Sequence, residues 1–301
     1  MAIGVNLDAS QPAAVLPFDR IDPQNEPKPL LFTSPHSGQE YPGDFVARAN
    51  VSLQSLRSAE DAYVDQLFKG VVTHGATLLS ARIARAFIDL NREPQELDPD
   101  LILGRLPSFA NARSPRVSAG LGVAPRLTGD GRSIYRHRLS LSEVEARIRD
   151  YHTPFHLAIQ DWMQAALAHH RCAVLIDCHS MPAYFASAGS HDPGSVHAVD
   201  IVLGERFGQS ADSRLVNYVE QVLSGSGYRV ARNHPYAGGY ITQTYGVPRL
   251  HRHALQIEIR RSLYMNEKTL EPNSNFGTLQ TDMGALAGAL AHSDLLARLA
   301  R

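Results

Sequence analysis

The stretch Ala173-Val-Leu-Ile-Asp-Cys-His-Ser180 decides the fold, because it joins a fully apolar run directly to polar residues. A strand that is apolar at every position, here Ala173-Val-Leu-Ile176, is typical of a parallel sheet that is covered on both faces. Asp177 and His179 follow its carboxyl end, and ligands of open α/β sheets bind at that end of the strands. The stretch therefore predicts a central strand with a functional site beside it.

The segments on either side repeat an alternation of strands and helices. Strands are predicted over residues 29–33, 76–90, 228–231 and 254–259, and helices over residues 53–74, 140–167, 217–223 and 279–299. This order predicts an α/β fold: a single three-layer domain with a mostly parallel, twisted sheet and helices on both of its faces.

The chain is expected to divide into a short arm and one domain. Residues 1–27 are rich in Pro, Asp, Gln and Asn with little periodicity, which predicts an extended N-terminal arm. Residues 28–301 are then one catalytic domain, a length that open α/β sheets reach as a single unit. Within it, residues 94–135 hold many Pro, Gly, Ser and Arg residues without a sustained period, which predicts an excursion that covers the substrate.

Composition argues against several classes of function. The formal net charge is -1 and the 29 basic residues are spread along the chain, so nucleic acid is not an expected partner. No segment approaches the roughly 20 apolar residues that span a bilayer, and residues 1–17 lack the features of a signal peptide. Cys172 and Cys178 are too few for a disulfide framework. We expect a cytoplasmic protein that acts on a small molecule, with its oligomeric state left open.

Ionisable groups recur at the predicted strand ends, which favours a metal site. A hydrolytic zinc site needs three N, S or O ligands and one open position for water. His36 and His179 are the first two candidate ligands. The third is expected to be a carboxylate from a distant segment, for which Glu60-Asp61 is the best source. The polar segments are Pro35-His-Ser-Gly38, Asp89-Leu-Asn-Arg92 and Asp177-Cys-His-Ser180.

Glu258 is a candidate catalytic group. A carboxylate inside the apolar strand Ala254-Leu-Gln-Ile-Glu-Ile259 is costly to bury unless it is paired, faces a metal or opens to a cleft. Asp177 has a different expected role, since it precedes His179 and can orient that imidazole as a hydrogen-bond acceptor or cap the next turn.

Several motifs together resemble one enzyme family, the N-formylglutamate amidohydrolases, over roughly residues 30–265. The same motifs are more distantly similar to zinc carboxypeptidases and aspartoacylases, which share an Asp-Leu-Asn-Arg run. The resemblance implies a zinc-carboxypeptidase-like fold and the hydrolysis of N-formyl-L-glutamate to formate and L-glutamate in histidine degradation. The motifs are Ser34-Pro-His-Ser-Gly38, Glu60-Asp61, Asp89-Leu-Asn-Arg92, Gly120-Leu-Gly-Val123, Asp177-Cys-His-Ser180, Gly238-Gly-Tyr-Ile-Thr242 and Gln256-Ile-Glu258.

The resemblance also implies roles for individual residues. Zinc, or another divalent metal, would be bound by His36, Asp61 and His179, with Glu60 as the alternative to Asp61. Glu258 would be the catalytic carboxylate, and Arg85 would stabilise the developing oxyanion. Arginine suits the substrate carboxylates because it binds them in a bidentate manner. The substrate-binding residues would be Asn91, Arg92, Arg126, Gly239 and Thr242.

Two other interpretations stay open. One is a zinc hydrolase of the aspartoacylase or carboxypeptidase type, with another N-acyl amino acid or a peptide as its substrate. The other is a non-catalytic homologue that binds a metal or a ligand. A panel of N-acyl amino acids separates the enzymes, because a pocket for formyl excludes larger acyl groups. Metal analysis of the purified protein distinguishes the zinc enzymes from the non-catalytic homologue.

Overall fold

A mixed sheet forms the centre of the computed structural model, which describes residues 16–186 and 199–301. In the described ranges the strand order is β1-β3-β2-β4-β7-β5-β6, so β4 is fourth of seven. The predicted central strand at residues 173–176 is confirmed. The strands are β1 Phe18–Ile21, β2 Leu30–Ser34, β3 Thr77–Ala81, β4 Ala173–Met181, β5 Ile201–Gly204, β6 Val230–Arg232 and β7 Arg252–Arg260.

Most neighbouring strands of this sheet run parallel. The pairs β2 with β3, β2 with β4, β4 with β7 and β5 with β6 are parallel. The pairs β1 with β3 and β5 with β7 are antiparallel. The predicted α/β class with a mostly parallel sheet is confirmed. A separate ribbon pairs β8 Met265–Asn266 with β9 Glu271–Pro272.

Helices pack on both faces of the sheet. Along β4, Val174 and Ile176 point into a core that includes residues of α8 and α10, whereas Leu175 points into a second core with residues of α6. None of the described helices is both long and apolar enough to cross a bilayer. The α-helices are α1 Gly43–Arg48, α2 Leu53–Arg57, α3 Val64–Leu67, α4 Pro115–Ser118, α5 Leu141–Arg147, α6 Thr153–His170, α7 Ala183–Ala186, α8 Ser213–Gly225, α9 Tyr240–Tyr245, α10 Phe276–His292 and α11 Leu295–Leu299. Shorter turns are the 3-10 turns Lys69–His74, Pro248–Leu250 and Arg261–Leu263, and the π turn Ile148–His152.

The predicted continuous helix over residues 53–74 is wrong. The helix ends with α2 at Arg57, and the next helix, α3, begins only at Val64. Between them, Tyr63 adopts a φ of 64°, in the left-handed region that a continuous helix excludes. The backbone N–H of Asp61 donates to the carbonyl of His36 at 3.0 Å instead of to a helical carbonyl. This break places Asp61 beside the end of β2.

The predicted strand over residues 76–90 is too long, because β3 ends at Ala81. The residues that follow form turns, and the N–H of Asp89 donates to the carbonyl of Val123 at 2.8 Å. Their apolar side chains are buried in the second core and not in the sheet. Residues 89–92 are therefore a loop beside the sheet.

Two strands, β1 at one edge of the sheet and β5 between β7 and β6, lie where no strand was predicted. β5 pairs with β7, and β1 pairs with β3 although it lies in the segment predicted as an arm. The earlier part of that arm, residues 1–15, falls outside the described residues.

Candidate active site

His179 and Glu258 lie side by side on the two neighbouring central strands. The register of β4 and β7 pairs His179 with Glu258 and, two positions earlier, Asp177 with Gln256. Side chains alternate between the two faces of a strand, so these four polar groups lie on the same face of the sheet as the apolar Leu175. On this face, the side chains of β4 and β7 are apolar core residues at first and become polar site residues towards the carboxyl ends of the strands.

Two loops bring His36 and Asp61 to this edge of the sheet. His36 follows the end of β2, which is the neighbour of β4, and Asp61 lies in the break between α2 and α3. The side chains of His36, Asp61 and His179 are all buried, with at most 3% of each residue exposed. Their charges must therefore be balanced by each other or by a bound ion.

Three side-chain atoms of these residues converge. Nδ1 of His179 lies 3.1 Å from Oδ2 of Asp61, and Nδ1 of His36 lies 3.4 Å from the same oxygen. One ligand atom from each residue lies within 4.8 Å of the other two, a spacing that can hold a metal ion. The structure therefore brings the three predicted ligands together.

A carboxylate holds the far side of each imidazole. Nε2 of His36 donates to Oδ1 of Asp89 at 2.7 Å, and Nε2 of His179 lies 2.9 Å from Oδ2 of Asp177 and 2.9 Å from Nδ2 of Asn91. A carboxylate in this position fixes the orientation and tautomer of a ligand histidine. In both residues Nδ1 is left as the atom that can bind a metal.

Arg261 and Ser180 hold the other oxygen of Asp61. Nη2 of Arg261 donates to Oδ1 at 2.8 Å, and the hydroxyl of Ser180 donates to it at 3.2 Å. Burial acts to raise the pKa of Asp61, but the hydrogen bond with His179 and the charge of Arg261 hold this pKa well below its usual value. Asp61 is thus ionised, as a metal ligand must be.

The donor set fits a divalent cation. Nδ1 of His36 is buried and makes no hydrogen bond with the described residues. A buried polar atom without a partner is costly unless another group binds it. Two imidazoles and one carboxylate, with a further position open, form a ligand set typical of catalytic zinc.

Glu60 points away from these histidines. Its Oε1 accepts a hydrogen bond from the hydroxyl of Tyr41 at 2.7 Å and another from Nε of Arg57 at 3.1 Å. The structure therefore places Asp61, and not Glu60, beside His36 and His179.

A cavity of about 390 Å³ lies over this group. Small-molecule sites commonly have volumes of about 300–1,000 Å³, so the cavity suits a small substrate. Burial raises the pKa of Glu258 to about 7, and Nε2 of Gln256 donates to Oε1 of Glu258 at 2.7 Å. A carboxyl group with this pKa can take and return a proton near neutral pH. Residues that line the cavity include His36, Asp61, Arg85, Arg92, His179 and Glu258.

Arg85 and Arg92 bring positive charge to the same cavity. Nε of Arg85 donates to Oδ2 of Asp89 at 2.9 Å, so Asp89 joins Arg85 to His36. Nε of Arg92 donates to the carbonyl of Leu121 at 3.1 Å. Burial lowers the pKa of Arg92 to about 10, which still leaves it charged at neutral pH.

Comparison with known proteins identifies the family of the chain. A sequence model described as N-formylglutamate amidohydrolase matches residues 28–265. The chain belongs to this family. The family consists of amide-hydrolysing enzymes, so the predicted resemblance and the predicted enzyme class are both confirmed.

Relatives and solved structures agree with the membership. The N-formylglutamate deformylase of Pseudomonas aeruginosa is 29% identical over 246 residues, which cover 80% of this chain and 83% of that protein. The N-formylglutamate deformylase of Pseudomonas putida is 28% identical over 79% of this chain and 82% of that protein. The crystal structure of N-formylglutamate amidohydrolase from Ralstonia eutropha JMP134 is 36% identical, with a TM-score of 0.86, and covers 94% of this chain and 99% of that one.

A further structure shows the fold alone. The gene product Atu2144 from Agrobacterium tumefaciens is 21% identical with a TM-score of 0.61, over 95% of this chain and 96% of that one.

Asn91 and Thr242, two of the predicted substrate-binding residues, form hydrogen bonds with protein groups. Nδ2 of Asn91 donates to Asp177 at 3.0 Å, and Oδ1 of Asn91 accepts from the N–H of Ile241 at 2.8 Å. The hydroxyl of Thr242 is buried and donates to the carbonyl of Gly239 at 2.9 Å. These contacts join the loop at residues 89–92 to β4 and to the start of α9.

Arg126 is not among the residues that line the cavity, although its neighbours Pro125 and Leu127 are. Its Nε donates to Asp98 at 2.8 Å, and its Nη2 lies 3.6 Å from Asp100. Acidic neighbours therefore hold Arg126, and its role in binding substrate stays a prediction.

Gly239 packs closely against Asn91, which leads to a prediction about stability. A Cβ at this position would lie 2.5 Å from Nδ2 and 2.6 Å from Oδ1 of Asn91, whose amide is fixed from both sides. Overpacking of this kind costs about 1–3 kcal/mol. We expect Gly239→Ala to lower the free energy of unfolding in urea by this amount, and to lower activity because Asn91 shifts.

Gly225→Ala is the matched control for that substitution. Gly225 is the last residue of α8, and a Cβ there would meet nothing within 4 Å. Its free energy of unfolding should change by less than about 0.5 kcal/mol. Equal stability of the two variants would show that Gly239 is not tightly packed.

Proposed function

We propose that this enzyme hydrolyses the formamide bond of N-formyl-L-glutamate in a metal-dependent reaction that yields formate and L-glutamate. The observation that carries the proposal is the convergence of two imidazole Nδ1 atoms and a carboxylate oxygen in the cavity that Glu258 lines. The names of the two Pseudomonas relatives support the substrate. The reaction would serve histidine degradation in the cytoplasm.

The metal would be zinc, bound by His36, Asp61 and His179. When bound, zinc supplies a Lewis acid that lowers the pKa of water and polarises a carbonyl group. Asp89 and Asp177 lie at Nε2 of the two imidazoles, so Nδ1 is the atom of each ring that faces Asp61.

Glu258 would act as base and then as acid. Its carboxylate takes a proton from the attacking water, and the protonated group then gives that proton to the leaving amine. A pKa of about 7 suits both transfers. The pairing of Glu258 with His179 across the two strands keeps the base beside a metal ligand.

The two arginines of the cavity would bind negative charge. Arg85 would stabilise the oxyanion that develops on the formyl oxygen, where one well-placed donor is worth several kcal/mol of barrier. Arg92 would bind a carboxylate of the substrate, for which a guanidinium is well suited. Asn91 would act indirectly, because both atoms of its amide are bonded to protein groups.

The test is formate release from N-formyl-L-glutamate by the purified protein. We expect about one zinc per chain and release of formate. Dialysis against a chelator should remove activity, and added zinc should restore it. N-acetyl-L-aspartate and N-acetyl-L-glutamate are the comparison substrates, since a pocket for formyl rejects the larger acyl group.

Two results would contradict the proposal. Faster cleavage of the acetylated compounds would indicate an aspartoacylase-like hydrolase. Absence of both bound metal and activity, unchanged by added zinc, would favour a binding module.

A further inference from the structure

Arg116 lines the cavity with an unusual lack of acidic partners. The other arginines that line the cavity, Arg85, Arg92 and Arg261, have carboxylate oxygens at 2.9, 3.7 and 2.8 Å. Within residues 16–186 and 199–301, Arg116 forms no such ion pair. Its Nη2 donates to the carbonyl of Gly238 over a long distance of 3.4 Å.

The fold fixes Arg116 close to Arg92. Arg116 lies in the short helix α4, and its carbonyl accepts a hydrogen bond from the N–H of Leu121 at 2.8 Å. The carbonyl of Leu121 in turn accepts from Nε of Arg92 at 3.1 Å. Leu121 therefore links Arg116 to Arg92, and both arginines line the cavity.

Positive charge accumulates on the wall of the cavity around Gly238, with Arg206 behind the lining residues. Arg116 acts to lower the pKa of both Arg92 and Arg206, in each case as a contribution smaller than burial. Arg206 lies next to Gly238, since a Cβ added there would approach its Cγ to 2.9 Å. Neighbouring cations destabilise one another unless an anion lies between them. This wall is therefore suited to bind an anionic part of a ligand.

We propose that Arg116 binds the side-chain carboxylate of the substrate and so selects acidic N-formyl amino acids. This inference rests on the proposed function. Arg92 lies 3.7 Å from Asp89, which holds His36, and is thus close to the reacting amide. We therefore assign Arg92 to the α-carboxylate of the substrate, because this carboxylate and the amide nitrogen are bonded to the same α-carbon. Arg116 is matched to the carboxylate two methylene groups further away.

The experiment compares two substrates that differ in one carboxylate. N-formyl-L-glutamate and N-formyl-L-norvaline have side chains of similar length, but norvaline lacks the acid. Arg116→Met should lower kcat/KM for N-formyl-L-glutamate by about 10- to 100-fold, the effect of one lost charge-assisted hydrogen-bonding pair. For N-formyl-L-norvaline, kcat/KM should change by less than about 2-fold. Arg116→Lys should retain part of the selectivity, because it keeps the charge but loses the bidentate geometry.

Arg113→Met is the matched control. Arg113 lies three residues before Arg116 and is exposed, and it is not among the residues that line the cavity. Its kcat/KM should stay at the wild-type value for both substrates. Equal losses on both substrates in Arg116→Met, or no loss on either, would overturn the assignment.

A binding measurement separates this inference from the proposed function. L-glutamate and L-norvaline are titrated calorimetrically into the zinc-loaded wild type and Arg116→Met, with no hydrolysis required. We expect wild type to prefer L-glutamate and Arg116→Met to lose that preference. If wild type releases no formate but this preference still depends on Arg116, the proposed function fails and the subsite stands. If formate is released and the preference is unchanged in Arg116→Met, the subsite fails alone.

Discussion

Replacing Glu258 with glutamine is expected to lower kcat for N-formyl-L-glutamate by about 100- to 10,000-fold, the usual contribution of a general acid or base. Glutamine keeps the volume of the side chain and still offers an oxygen to Gln256, which donates to Oε1 of Glu258 at 2.7 Å. It cannot take the proton of the attacking water. The measurement is steady-state formate release, together with the zinc content of both proteins.

The dependence on pH gives a second measurement for the same variant. Burial raises the pKa of Glu258 to about 7, so acidification below this value protonates the base in the wild type. Wild-type kcat/KM should therefore fall as the pH drops, whereas the residual activity of Glu258→Gln should lack this acidic limb. A variant with normal zinc content and near wild-type kcat would exclude Glu258 as the base.

Asp61→Asn is expected to abolish stable zinc binding and to lower kcat/KM by at least about 1,000-fold. A metal ion contributes several kcal/mol of transition-state stabilisation, and each 1.4 kcal/mol corresponds to a tenfold change in rate. The neutral amide is a weak ligand, and it removes the charge that faces Arg261 at 2.8 Å. Zinc stoichiometry by atomic emission and kcat/KM are the two measurements. Circular dichroism shows whether the variant is folded.

Glu60→Gln provides the matched control, because Glu60 is the adjacent buried carboxylate. Its side chain contacts Tyr41 and Arg57 and not the histidines. This variant should keep one zinc per chain and most of its activity, although the weaker contact with Arg57 can lower stability. The reverse pattern, with zinc retained in Asp61→Asn and lost in Glu60→Gln, would transfer the ligand role to Glu60.

The sequence indicated the parts of the site that lie on strands. Strand alternation and an apolar run place Asp177 and His179 at the carboxyl end of β4, and the same reasoning applies to Glu258 on β7. The place of His36 in the site could be predicted because this residue follows the end of β2. Local sequence was sufficient here because a buried strand fixes which face each side chain occupies.

The sequence was less informative where long-range contacts override local pattern. The apolar spacing of residues 53–74 is helical, but the hydrogen bond from Asp61 to the His36 carbonyl breaks the helix. Arg261 was missed as a partner of Asp61, because its place after β7 carries no motif and the two residues are 200 positions apart. The contact of Arg126 with Asp98 at 2.8 Å was likewise not indicated by the sequence. Such partners become visible only in three dimensions.

The division between strands and loops within this cavity has a practical consequence. The hydrolytic groups His179 and Glu258 are fixed by the pairing of β4 with β7, whereas Arg116 lies on a connecting segment. A shift of β7 by one residue would turn Glu258 to the opposite face of the sheet. Insertions of one residue in that strand should therefore abolish activity. Substitutions in the connecting segment leave that strand register unchanged. An engineer could therefore retarget this hydrolase to other formylated compounds by rebuilding that segment while leaving the two strands intact.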